Sequence, residues 1–138
     1  MPKPSKEFLN PNTLLSPRGY SHVAKVNKGT IVYIAGQVSC DASGKLVGEG
    51  DFEAQVEQVF RNLKHAVEAA GGTMADIVKL NTYLVAELDP SSSVAKLREI
   101  RERHLNADNR PASTLLVVSR LAQPGWLIEI EAVAAIEG

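Results

Sequence analysis

The clearest pattern in the chain runs from Phe52 to Val67. Phe52, Val56, Val59, Phe60, Leu63 and Val67 recur at helical spacing, while Glu53, Glu57, Arg61, Lys64 and Glu68 fall on the other side, which predicts an amphipathic helix. Acidic residues crowd its first turn and Gly71-Gly72 ends it, as the helix dipole and the glycine C-terminal stop require. A second stripe through Val94, Leu97, Ile100, His104 and Leu105 follows Asp89-Pro90-Ser91-Ser92-Ser93, which offers a stop and a choice of N-caps. Elsewhere the period is two. From Asp76 to Val85 the side chains of Val78, Leu80, Thr82 and Leu84 form the drier face of a strand. Pro111 starts an extended run, Thr114 to Leu121 is aliphatic and β-branched, and Gln123-Pro124-Gly125 turns the chain into a last strand. On that strand Trp126, Ile128, Ile130, Ala132 and Ala134 share the apolar face, and Leu127, Glu129, Glu131 and Val133 share the other.

Nearer the start, His22 to Val26 and Thr30 to Ala35 predict a strand pair joined by a hairpin at Asn27-Lys28-Gly29. The second of these strands is nearly continuous in apolar residues and is expected in the middle of a sheet. Pro2, Pro4, Pro11 and Pro17 exclude a helix from residues 1 to 19, leaving an extended N-terminal arm. The order is ββαβαββ: an α+β domain spanning 1–138, with two helices on one face of a mixed sheet and right-handed crossovers placing the third strand. The other sheet face stays bare in a single copy, so a closed homo-oligomer with its sheets packed together is expected.

Composition narrows the function classes. A chain of 138 residues is long enough for one domain and buries roughly two-thirds of its unfolded surface. Fifteen Lys+Arg against sixteen Asp+Glu give a net charge of −1, and aromatics are 5%, so there is neither a basic field nor a stacking platform for nucleic acid. No apolar run approaches membrane-spanning length and residues 1–6 lack the apolar core of a signal peptide, which makes a cytoplasmic protein the expectation. Cys40 is the single cysteine, and His22, His65 and His104 are scattered, so no metal site is expected. Arg98, Arg101 and Arg103 with Glu99 and Glu102 make a mixed-charge patch of the kind found on a solvated helix face.

Pro111-Ala112 leading through a strand to Ile128-Glu129-Ile130-Glu131-Ala132 resembles the C-terminal signature of the Rid family, the reactive intermediate deaminases also called YjgF-like or endoribonuclease L-PSP-like proteins. Gly19-Tyr20-Ser21, Ala35-Gly36-Gln37, Gly50-Asp51 with Gln55, and Ala69-Ala70-Gly71-Gly72 before Asp76-Ile77-Val78-Lys79 extend the resemblance over most of the chain in the right order. It implies a chorismate-mutase-like fold, a homotrimer whose sheets form a central barrel, and clefts at the subunit interfaces. It also implies hydrolysis of a small enamine or imine to a keto compound and ammonia, without metal or organic cofactor. Tyr20 then matches a cleft tyrosine, Gly36 a strand-end glycine, and Glu129 the glutamate that positions water. Ser113 stands where the family's imine deaminases carry arginine, Ala35 where they carry a cleft serine, and Leu115 replaces a frequent cysteine.

Each candidate has a plain alternative. Glu129 could hold a water as general base, or could face solvent beside a Lys or Arg. Tyr20 could cap a pocket or anchor the sheet edge, and Gln37 could orient a ligand or satisfy loop backbone. Ser113 offers one neutral hydroxyl where arginine would offer a charged fork, so simple 2-imino acids are expected to bind poorly unless Arg18, Arg110 or Arg120 reaches in. The expectation is a deaminase of altered substrate, with Glu129 catalytic and Tyr20, Gly36, Gln37 and Ser113 shaping the pocket. The alternative is a non-catalytic small-molecule-binding or chaperone-like protein that kept the trimer and lost the chemistry.

Overall fold

A computed structural model describes residues 3–137; Met1 and Pro2 of the expected arm, and Gly138, lie outside the described residues. The long helix forms as its stripe predicts, as α1 (Phe52–Ala69). Asp51 caps it by accepting the Ala54 N–H, and Gly71 (φ 91°) turns the chain so that the Gly72 N–H closes on the Val67 carbonyl. Val56, Val59, Phe60, Leu63 and Val67 are fully buried. The second helix, α2 (Pro90–Glu102), is capped by Asp89 with proline at its first turn, and it ends before His104 and Leu105.

The strands are β1 (Lys6–Leu9), β2 (Val23–Val26), β3 (Thr30–Gln37), β4 (Ile77–Val85), β5 (Ala112–Val118) and β6 (Ile128–Ile136). The last four form one mixed sheet in the order β3-β6-β4-β5, with β4 and β5 parallel and joined through α2. Ile34, Leu80, Leu84, Ile128, Ile130, Ala132 and Ala134 on one face build the core with α1 and α2. The α+β class, the mixed sheet and the helical layer follow the sequence pattern.

The N-terminal third does not. β2 pairs antiparallel with β1, which lies inside the expected arm, and β3 pairs with β6, so the hairpin at Asn27-Lys28-Gly29 does not form. The Asn27 side chain explains the choice: its amide donates to the Pro4 carbonyl and to Glu7 Oε2, and its backbone N–H donates to the Ser5 carbonyl, fastening the arm. β3 is also an edge strand rather than a central one. Its apolar run is buried at Ile34 but Tyr33 is 83% exposed on the bare face, because no second layer covers that side within one chain.

Candidate functional site

The bare sheet face carries the carboxylates. Register sets Glu131 beside Asn81 and Glu129 beside Tyr83, one step along each strand from the core-facing residues. Glu131 is tied down, accepting hydrogen bonds from the Asn81 amide and the Tyr83 hydroxyl. That bond to Glu131, followed by partial desolvation and by the charges of Glu131 and Glu129, pushes the Tyr83 phenol above its ordinary range. Glu129 is different. It is half-buried, and no Lys or Arg closes an ion pair on it among the described residues.

Glu129 instead lies over Gly36. Between Ile34 and Gln37 the β3–β6 register slips at an irregularity, and a Cβ built on Gly36 would meet Glu129 Oε2 and come within 2.8 Å of its Cδ. Residue 36 is therefore small because a carboxylate occupies the space. β6 is in turn aimed by Gln55, a fully buried amide on the apolar stripe of α1. Gln55 donates to the carbonyls of Gly48 and Gly125 and accepts the Leu127 N–H, which fixes the turn that starts β6.

Tyr20 and Ser113 lie elsewhere. Ser113 is paired with Leu80 and so faces the helices, and Ser21 bridges to Ala112, which brings Tyr20 alongside the β5 edge. Together they line a cavity of about 300 Å³ between β5 and α2. Arg18, Arg98 and Arg101 enter the same cavity over an apolar lining of Val94, Leu97 and Leu115. Glu129 sits on the opposite face, two strands away across β4, which amounts to about 10 Å of sheet. One chain thus brings Tyr20 to Ser113 and Gly36 to Glu129, but does not bring the two pairs together. Gln37 joins neither: its amide donates to the Ala35 carbonyl and it borders a depression beside Cys40, Asp41 and Asn62.

Arg101 overturns a sequence expectation. It is 6% exposed rather than part of a solvated face, and its Nε is a buried donor without a hydrogen-bond partner among the described residues. Burial pulls its guanidinium below the ordinary range, against the neighbouring Glu102 charge. The signal was present, since Arg101 follows Leu97 by four residues and Val94 by seven, on the apolar stripe of α2. Of the arginines named as alternatives, Arg110 is held by Glu102, Arg120 folds onto the Leu121 and Ala122 carbonyls, and Arg18 lines the cavity from an exposed position. Among the described residues no cluster of three His, Cys, Asp or Glu is placed to hold a metal, and no helix is long and apolar enough to cross a membrane.

Two helices over one face of a mixed sheet, with strand carboxylates on the bare face and a cleft at the strand edge, define a Rid-type α+β protein. Residues 11–136 match the model described as endoribonuclease L-PSP, and the chain belongs to this family, the Rid proteins. It is 34% identical over 130 residues to a RutC family protein of Pyrococcus horikoshii, covering 94% of this chain and 97% of the relative. Among solved structures it resembles a Rid family protein of unknown function from Yersinia pestis (TM-score 0.84, 38% identity, 96% of this chain and 99% of that one). It also resembles RidA from an Antarctic Psychrobacter (TM-score 0.68, 36% identity, 88% and 92%).

Proposed function

We propose that the chain is a cofactor-independent hydrolase of a small enamine or imine, working in clefts between the subunits of a homotrimer. The observation that carries this reading is Glu129: a half-buried strand carboxylate without an ion-pair partner among the described residues, held over Gly36 where the β3–β6 register slips. In this reading Glu129 accepts a proton from water as the oxygen attacks the imine carbon. Glu129 returns that proton to the nitrogen of the adduct, and as the C–N bond breaks the hydroxyl proton of the carbinolamine passes through Glu129 to the departing amine, so that a keto compound and ammonia leave. Tyr20 and Ser113 shape the binding half.

Oligomerisation follows from the separation of the two halves. Gly36 and Glu129 lie toward the β3 edge and Tyr20 and Ser113 beside the β5 edge, so they meet only if the β3 side of one copy faces the β5 side of the next. A heterologous contact of that kind forms a ring where its rotation closes, and in the proposed trimer the exposed Ile31, Tyr33 and Leu116 on the bare face find cover. The family description mentions ribonuclease activity, but a net charge of −1 and 5% aromatics do not favour RNA.

The test is ammonia and keto-acid release from 2-aminoacrylate generated in situ, comparing wild type with Glu129→Gln. Turnover that falls by about 10²-fold or more in Glu129→Gln supports the reading. Equal rates would remove Glu129 from the chemistry; no turnover by wild type, with turnover gained in Ser113→Arg, would mean a substrate without that carboxylate, and no turnover by either would favour the non-catalytic binding protein.

A further inference from the structure

The cavity between β5 and α2 contains a cation that the fold leaves unanswered. Arg101 is only 6% exposed, yet its Nε finds no hydrogen-bond partner among the described residues. The adjacent acid does not supply one, because Glu102 is engaged by Arg110, with Nε at 3.0 Å from Oε1 and Nη2 at 2.7 Å from Oε2. An arginine cannot escape by deprotonation, so the site holds a permanent buried charge. The guanidinium is also seated rather than loose. Gly19, at φ 76°, passes so close that a Cβ there would lie 2.6 Å from Arg101 Nη2. A side chain at residue 19 is therefore strained by conformation and would have to push the guanidinium aside.

What surrounds Arg101 selects the kind of anion. Ser113 and Tyr20 add neutral hydroxyls, Arg18 and Arg98 add positive charge from exposed positions, and Leu115 belongs to an apolar wall. A cavity of about 300 Å³ with such a wall suits a carboxylate on a short hydrocarbon body better than a hydrated inorganic ion. We propose that Arg101, from α2, is the anion-binding residue of this cavity, taking a ligand carboxylate on its guanidinium fork and filling the role that Ser113 leaves open on β5. It replaces the expectation, drawn from Ser113 alone, that carboxylate ligands bind poorly. The proposal rests on the functional reading only in assigning this cavity to one half of the cleft.

The test is calorimetric titration of the full chain with pyruvate and with pyruvamide, its uncharged isostere, with inorganic phosphate as competitor. Wild type is expected to bind pyruvate about ten-fold or more tighter than pyruvamide. Arg101→Gln should erase that preference, and Arg101→Lys, which keeps charge but loses the fork, should retain part of it. The assignment is overturned if wild type binds both equally or binds no pyruvate, if Arg101→Gln keeps the preference, or if phosphate displaces pyruvate as an equal ligand. Should Arg101→Gln fail to fold, the wild-type comparison and Arg101→Lys still decide. No turnover enters this reading: intact pyruvate selectivity without a Glu129 effect rejects the catalytic reading alone, and the reverse result rejects only Arg101.

Discussion

Glu129 occupies the space that a side chain on Gly36 would need: a Cβ there would meet the carboxylate oxygen and lie 2.8 Å from Cδ. The colliding atoms belong to the end of a flexible side chain, so Gly36→Ala should fold, with the glutamate pushed aside rather than the backbone. The expected outcome is a melting temperature close to wild type with turnover of 2-aminoacrylate lowered by about 10²-fold, the scale of a lost general base. Full activity would show that the placement of Glu129 over Gly36 is not what catalysis uses.

Gln55 tests the support of the same strand. Gln55→Leu keeps the buried volume but strands two carbonyls and the Leu127 N–H that the amide satisfies. Each unsatisfied buried group costs about 1 to 3 kcal/mol, so a loss of at least about 2 kcal/mol is expected in urea denaturation. A variant as stable as wild type would mean that the turn before β6 is held by something else.

The Glu102–Arg110 pair gives a pH signature. Hydrogen bonds from Arg110 hold the Glu102 carboxyl below the usual carboxylate range, partly opposed by burial, and the same bonds raise Arg110. Because the folded pKa is the lower one, the stabilisation is complete above the unfolded value and is lost as pH falls through the folded value. With side chains 36% and 39% exposed, screening leaves only a few tenths of a kcal/mol. Stability measured between about pH 5 and 3 should therefore fall slightly less in Glu102→Gln than in wild type. Identical slopes would contradict the pairing.

Association is the next expectation. Sedimentation equilibrium at micromolar concentration should give three times the 14.9 kDa of one chain. Tyr33→Glu, which places a charge on a residue 83% exposed in the single chain but covered in a ring, should shift the mass toward monomer. A wild-type monomer would defeat the shared cleft.

Much of this is legible in the sequence alone. Periodicity located both helices and strands β4 and β6, because each buries one continuous stripe or face, and Glu129 and Glu131 stood out as carboxylates on an otherwise aliphatic strand. Pairing partners were not legible. Asn27 reads equally well as a hairpin residue or as an anchor for the arm, and only the contacts with Pro4, Ser5 and Glu7 decide. Arg101 reads by residue type as part of a solvated face, and only its spacing from Leu97 and Val94 places it on the buried stripe. The split between Tyr20 with Ser113 and Gly36 with Glu129 depends on strand order, which no local pattern encodes.

The most direct test of the account mixes subunits. Arg101→Gln and Glu129→Gln each disable one half of the proposed cleft, and in a ring assembled from equal amounts of the two chains about a quarter of the interfaces receive both intact halves. Co-refolded protein, with mixed trimers verified by native mass spectrometry, should recover about a quarter of wild-type turnover from two nearly inactive parents. Verified mixed trimers with no recovery would show that the two halves do not meet between subunits.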